Sequence, residues 1–226
     1  MSTFFDMDGG GETVTIEKTD NGDFIFHGWD EETELAAIEL GFEPSACWIV
    51  WNAINDDALD EELLDYASNE NVSVVEALIF AGASVKAVDA DGWTPLHHAV
   101  HKGHTGVVKA LLKARASADA RNRYGYAPLH LAASSNNVDV TNILLSAGAL
   151  VNSYHFTPLH TAALNGHVDV VTTLLKAGAN VHAYTVDDKT PLRLAEQRGH
   201  ALVVKVLKDW KGSAEHEQIL RARLRR

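Results

Sequence analysis

The most regular feature of the chain is an apolar run at helical spacing that recurs at similar intervals. In each run, apolar side chains stand three or four positions apart, which puts them on one face of a helix. Four runs begin at Val107, Val140, Val170 and Val203. An earlier run starts at Val74, 33 residues before the first of these four. The pattern therefore predicts a series of similar amphipathic helices.

A proline-containing tetrapeptide precedes each of the four runs. The tetrapeptides begin at 94, 127, 157 and 190, at intervals of 33, 30 and 33 residues, and read Thr94-Pro95-Leu96-His97, Ala127-Pro128-Leu129-His130, Thr157-Pro158-Leu159-His160 and Thr190-Pro191-Leu192-Arg193. Threonine caps a helix well and proline fits its first turn, so each tetrapeptide predicts a helix start. The predicted helix ends are Gly103, Gly166 and Gly199, with Asn136 in the second copy. A supersecondary unit thus repeats about every 33 residues.

These tetrapeptides, helix ends and intervals strongly resemble the ankyrin repeat family, whose unit is a β-turn followed by two antiparallel helices. The resemblance covers about residues 56–211 and implies an all-α repeat solenoid. The expected units are 56–88, 89–121, 122–153, 154–184 and 185–211. In the first unit Leu63-Leu64 replaces Leu-His and Thr-Pro is missing, so this unit is degenerate, as is typical of a terminal repeat.

The flanking segments predict caps. Residues 1–28 form an acidic, glycine-rich tail, and the alternation on either side of Asp20-Asn21-Gly22-Asp23 predicts a short β-hairpin. This arm either packs on the first helices or docks a partner. Residues 29–55 predict a helical N-terminal cap with a nearly all-apolar stretch at 46–54. Residues 212–226 predict a basic helix, because four arginines fall at its negative end; a nuclear-localisation signal is the less favoured interpretation.

Composition limits the function classes. The net charge of −12 disfavours nucleic-acid binding. The single cysteine, Cys47, cannot form an internal disulfide and favours a reducing compartment. We expect no secretory signal and no membrane span, because no basic-then-apolar leader and no run of 18 apolar residues is present. The expected localisation is cytoplasmic, with a nuclear site or a removed targeting peptide left open, and the expected state is a monomer.

The twelve histidines raise the question of catalysis or metal binding. The resemblance explains six of them as framework residues, namely His97, His130 and His160 in the tetrapeptides and His104, His167 and His200 after the helix ends. His98 and His101 lie three apart on one helix, but a zinc site needs more ligands than these two. No nucleophile-elbow, phosphate-loop or dinucleotide motif is present. We therefore expect no enzyme activity, no cofactor and no metal.

The resemblance implies a partner surface made of turn residues and inner-helix ends. The predicted contact residues are Asp91, Trp93, His101, Lys102, Arg123, Tyr124, Tyr126, His155, Phe156, Leu164, Asn165, Lys189 and Arg198, with Ser134, Ser135, Asp187 and Gln197 at equivalent positions. Aromatic rings at the position before the tetrapeptide, in three successive copies, either anchor a partner or pack between neighbouring turns. The shortened third turn at 151–156 predicts a notch beside the second and third rings.

The sequence thus predicts a non-catalytic interaction module or adaptor that binds a protein or peptide on its concave face. A locally basic partner is expected from the net charge of −12. The alternative is an adaptor whose partner docks on residues 1–30, with the repeats as a scaffold. An enzyme is the weakest of the three interpretations, because its motifs are missing.

Overall fold

The computed structural model describes two short strands, residues 46, 49–50 and 53, and residues 58–152 and 155–210. Strand β1 (Thr15–Lys18) pairs antiparallel with β2 (Phe24–His27), and Ile16 lies opposite Phe26. The turn between them, at 19–23, lies outside the described residues, so the hairpin remains a prediction. The expected tail at 1–12, most of the cap at 29–55 and the basic helix at 212–226 also lie outside.

The described part of the chain contains ten helices that form five consecutive pairs. In a first compact unit, up to Ser117, they are α1 (Leu59–Tyr66), α2 (Val72–Phe80), α3 (Pro95–Lys102) and α4 (Thr105–Lys113). In a second compact unit, from Ala118, they are α5 (Pro128–Ser134), α6 (Val138–Ser146), α7 (Pro158–Asn165), α8 (Val168–Lys176), α9 (Pro191–Arg198) and α10 (Ala201–Asp209). The predicted amphipathic helices are therefore present, the degenerate first pair included.

Packing within each unit follows the repeat. The first helix of a pair packs on the first helix of the next pair, as α5 does on α7 and α7 on α9, and second helices pack likewise. In each of the first four pairs, both helices have a leucine at the same place that is 0–1% exposed: Leu63, Leu96, Leu129 and Leu159 in first helices, and Leu78, Leu111, Leu144 and Leu174 in second helices. Burying one leucine side chain stabilises a fold by about 1.5–3 kcal/mol. This leucine ladder is the apolar periodicity of the sequence seen in three dimensions.

The predicted helix ends are confirmed. Gly103, Gly166 and Gly199 end α3, α7 and α9 with φ of 81°, 79° and 74°, a left-handed conformation that glycine adopts without strain. Asn136 takes the same conformation after α5, with φ of 54°. Two non-glycine residues at other glycine positions of the repeat also have positive φ, Arg115 at 65° and Asp188 at 54°. Each carries about 1–2 kcal/mol of backbone strain.

Candidate functional site

The candidate site begins at the turns that precede the first helix of each full-length copy. We call residues 89–93, 122–126 and 185–189 the first, second and fourth turns. In each, the N–H of the first residue donates to the carbonyl of the last at 3.0–3.1 Å. The side-chain oxygen of the first residue also accepts two backbone N–H groups, at 2.8–3.3 Å; these residues are Asp89, Asn122 and Thr185. Because both kinds of bond close the loop, each turn is rigid before any partner arrives.

The third turn is built differently because it is three residues shorter. Residues 153–154 of this turn lie outside the described part of the chain, so the notch remains a prediction. Asn152 instead ties this turn to the following repeat. Its Nδ2 donates to the carbonyl of Gly178 at 2.9 Å, and its Oδ1 accepts the N–H of Asn180 at 2.7 Å.

Each predicted aromatic anchor rests on a histidine of its own repeat. The ring of Trp93 lies 6.1 Å from that of His97, and also 5.3 Å from each of the rings of His98 and His101. The equivalent pairs in the next two copies are Tyr126 with His130 at 5.7 Å, edge to face, and Phe156 with His160 at 5.5 Å, stacked. Tyr126 is 39% exposed, and the other two anchors are half-buried. Each of the three aromatic residues therefore contacts a histidine of its own repeat and is still partly exposed.

Two of the tetrapeptide histidines, His130 and His160, form hydrogen bonds through both ring nitrogens. Nδ1 of His160 accepts the backbone N–H of Thr157 at 3.1 Å, so Nδ1 carries no proton. The proton must be on Nε2, which donates to the carbonyls of Ala183 and Lys189, both at 3.1 Å. His130 repeats the arrangement, with Nε2 donating to the carbonyl of Phe156 at 2.8 Å. Burial lowers the pKa of both histidines, although the carbonyl acceptors act in the opposite direction.

A second set of histidines links second helices to the preceding repeat. Nε2 of His104, His167 and His200 lies within hydrogen-bond distance of the carbonyls of Ser68, Ser134 and Leu164, at 3.0, 2.9 and 3.0 Å. In the second copy Asn137 stands in this place and caps its own helix, accepting the N–H of Val140 at 2.9 Å. These histidines and those of the tetrapeptides thus have the framework role that the resemblance implied.

The remaining predicted contact residues divide between the two units. In the first unit, Asp91, His101 and Lys102 are exposed, the last two at the end of α3. In the second unit the exposed residues are Arg123, Tyr124, His155, Asn165 and Arg198, whereas Leu164 and Lys189 are half-buried. The carbonyls of both half-buried residues accept a histidine hydrogen bond, so their backbones are part of the framework. The structure brings Trp93 and His101 together, with ring centroids 5.3 Å apart.

Three features of the site were not foreseen from the sequence. Tyr184, just before the fourth turn, is 58% exposed, and Val186, within that turn, is 80% exposed. Their proximity to Lys189, a predicted contact residue, was the available signal. Also unforeseen was a hydrogen bond in the first turn, where Nε2 of His98 lies 2.9 Å from Oδ2 of Asp89.

Charge is distributed very unevenly along the chain. Residues 1–57 contain 14 aspartates and glutamates and one lysine, whereas residues 58–226 contain 17 aspartates and glutamates and 18 lysines and arginines. The net charge of −12 therefore belongs to the segment before α1. The predicted contact residues and their equivalents include four cations and two carboxylates: Lys102, Arg123, Lys189 and Arg198, against Asp91 and Asp187.

Comparison with known proteins agrees with this architecture. A family model for ankyrin repeats matches in three copies, over residues 63–155 and 148–218, which is more than half of the chain. The chain belongs to the ankyrin repeat family, and its fold is the all-helical repeat type of the solenoid class, as the sequence predicted. Ankyrin repeats are in general protein–protein interaction modules and are typically not catalytic. No curated protein matches the chain.

Two negative findings apply to the described residues alone. None of the helices seen in the two units is long and apolar enough to cross a membrane. Over the same residues, no group of three or more histidine, cysteine, aspartate or glutamate side chains could hold a metal ion.

Proposed function

We propose that the chain is a non-catalytic adaptor that binds a protein or peptide partner through the predicted contact residues. The observation that carries the proposal is that Trp93, Tyr126 and Phe156 are each fixed by a histidine of their own repeat while part of each ring stays exposed. A ring that is already held loses little conformational entropy on binding, and aromatic rings bury a large area. Such rings are typical hot spots of protein interfaces.

The charge distribution changes what partner the proposal favours. The expectation of a basic partner rests on the net charge, and that charge lies in residues 1–57 rather than in the repeats. For the repeats, the cations among the predicted contact residues give no reason to expect a basic partner. A basic partner remains a prediction for the alternative function, in which residues 1–30 dock the partner and the repeats act as a scaffold.

The test is a pull-down from cell lysate that compares wild type with Trp93→Ala/Tyr126→Ala/Phe156→Ala. Since each ring packs on a buried histidine, a second variant spares that packing: Lys102→Glu/Arg123→Glu/Arg198→Glu changes only exposed side chains. The matched control is Leu202→Ala, which removes an apolar side chain that is 70% exposed on α10. We expect both triple variants to lose partners that the control retains, with folding checked by circular dichroism.

Truncation of residues 1–28 separates the two functions. Binding through the predicted contact residues survives the truncation, whereas binding through the arm does not. If the truncated protein loses every partner while the charge-reversal variant keeps them, the partner docks on the arm and our proposal fails.

A further inference from the structure

The first turn contains a titratable pair that holds one of the aromatic anchors. Asp89 uses both carboxylate oxygens. Its Oδ1 accepts the N–H groups of Asp91 at 2.9 Å and Trp93 at 2.8 Å, and its Oδ2 lies 2.9 Å from Nε2 of His98. The His98 and Asp89 side chains are only 24% and 33% exposed. A change in the charge of His98 therefore acts on the same carboxylate that fixes the backbone of Trp93.

The pair is particular to this copy of the repeat. In the second turn Asn122 replaces the aspartate and still accepts the two N–H groups, both at 3.0 Å. Leucine stands in the place of His98 in the second and fourth copies, at Leu131 and Leu194. The turn can thus form without a carboxylate and without a histidine. The Asp89–His98 hydrogen bond is therefore not required for the shape of the turn.

Protonation of His98 strengthens two contacts at once. The hydrogen bond to the Asp89 carboxylate becomes an ion pair in which both partners are charged, and this pair is stronger than the bond from a neutral donor. The imidazolium also lies beside the indole of Trp93, with ring centroids 5.3 Å apart, a distance at which a cation is attracted by the aromatic ring. Both contacts hold Trp93 in place more firmly when His98 is charged.

Other titratable groups lie on the turn, on α3 and on the two described helices that pack against α3. On the turn and α3 they are Asp91, His97, His101 and Lys102; on α1 and α4, which pack against α3, the titratable side chains are Asp60, Glu61, Glu62, Asp65, Tyr66, Lys109 and Lys113. Burial acts to raise the pKa of Asp89, but the two backbone N–H groups and His98 together lower it. Asp89 is therefore ionised throughout the range in which a histidine titrates.

We propose that the Asp89–His98 pair is a proton-responsive clamp that holds Trp93 more tightly when His98 is protonated. The inference deepens the proposed function, and rests on it in so far as Trp93 is a partner contact. The clamp itself is tested without any partner. With Trp93 as a contact, partner affinity would rise as the pH falls through the range in which His98 titrates.

The experiment is NMR on the full chain with labelled tryptophan indoles and histidine rings, between pH 5.5 and 8. The Trp93→Phe variant assigns the Trp93 signal among the five tryptophans. We expect the Trp93 indole signal to move with the same midpoint as the His98 ring. In Asp89→Asn the turn should persist, as it does around Asn122, and the pH response of the Trp93 indole should weaken, because the carboxylate that joins His98 to the backbone of Trp93 is lost.

Three matched variants make the test sharp. His98→Leu, which introduces the residue of the second copy, should abolish the pH response of Trp93. His101→Gln should leave it in place, although that ring also touches Trp93. Asn122→Asp/Leu131→His transfers the pair to the second turn and should make the Tyr126 ring signals depend on pH.

The clamp is overturned if the Trp93 signal does not follow His98, if Asp89→Asn leaves the pH response of Trp93 unchanged, or if His101→Gln removes the response. Should Asp89→Asn prove unstable, His98→Leu decides alone. The two proposals can fail separately. If the Trp93 signal responds to pH as expected but all partners still bind the Trp93→Ala/Tyr126→Ala/Phe156→Ala variant, the proposed function is refuted and the clamp stands.

Discussion

Replacing His160 by leucine tests the hydrogen-bond framework of the repeats most directly. Leucine keeps most of the buried volume but removes both ring nitrogens. The N–H of Thr157 then loses its acceptor, and because Thr157 is 2% exposed, water cannot replace it. A buried donor without a partner costs about 1–3 kcal/mol. Loss of the stacking with Phe156 adds about 0.5–1.5 kcal/mol, so we expect His160→Leu to destabilise the protein by roughly 2–4 kcal/mol.

The chain offers a matched control at the same repeat position. Arg193 stands in the place of the histidine in the last copy, and its side chain is 64% exposed. Arg193→Leu should therefore change the free energy of unfolding by less than about 0.5 kcal/mol. The assay is urea denaturation monitored by circular dichroism. The free energies of unfolding of the two variants are compared on the condition that the dependence of the free energy on urea concentration is the same in both. Equal losses in the two variants would refute the argument, because they would mean that the buried hydrogen bonds of His160 contribute nothing measurable.

Acid should perturb the same framework without a mutation. Burial lowers the pKa of His130 and His160 in the folded state, so the folded protein binds fewer protons than the unfolded chain. The stability from this difference is complete above the unfolded pKa, about 6.5, and is lost as the pH falls below it toward the folded values. We expect the urea midpoint to decrease from pH 7.5 to pH 5.5. The decrease of the urea midpoint should be smaller in His160→Leu. If the midpoint of that variant falls with pH as steeply as that of the wild type, His160 does not contribute to the acid sensitivity.

Two further predictions concern single side chains. Thr161→Val should stabilise the protein by about 1 kcal/mol, measured as a rise in Tm, because the Thr161 hydroxyl is buried and has no hydrogen-bond partner among the residues that the structure describes. A lower Tm would show that the hydroxyl has a partner. Gly166→Ala should cost more stability than Gly199→Ala, although the two glycines have similar φ, 79° and 74°. A Cβ at Gly166 would stand 2.6 Å from Nδ1 of His200, whereas no atom of the described residues lies within 4 Å of a Cβ at Gly199. Equal losses would mean that the His200 ring moves aside freely.

Most of the local structure was predictable from the sequence because its causes are local. The apolar spacing around Leu111 and Leu144, the capping threonines and the left-handed ends at Gly103 and Gly199 act within one or two turns of the chain. Their 33-residue period carries each element from one copy to the next. Even the strained positions followed, since Arg115 and Asp188 stand where other copies have glycine and take its positive φ.

Contacts between distant positions were not predictable in the same way. The sequence left open whether the aromatic anchors pack against neighbouring turns or face a partner. Only the tertiary structure shows that the ring of Tyr126 contacts that of His130 and that Tyr126 remains 39% exposed. Asp89 and His98 are nine residues apart and belong to different elements. Their pairing depends on how the turn folds back over α3, and no periodicity reports that.

The sequence by itself determined the class of protein, the helices, their ends and the leucine core, because capping, backbone conformation and apolar periodicity are encoded within single repeats. The uneven charge, confined to residues 1–57, could also be counted without a structure. The tertiary structure alone decided which carbonyls accept the buried histidines, which rings stay exposed and which side chains form a titratable pair. Those outcomes depend on distances between elements, to which a hydrogen bond or a ring contact is sensitive within less than 1 Å.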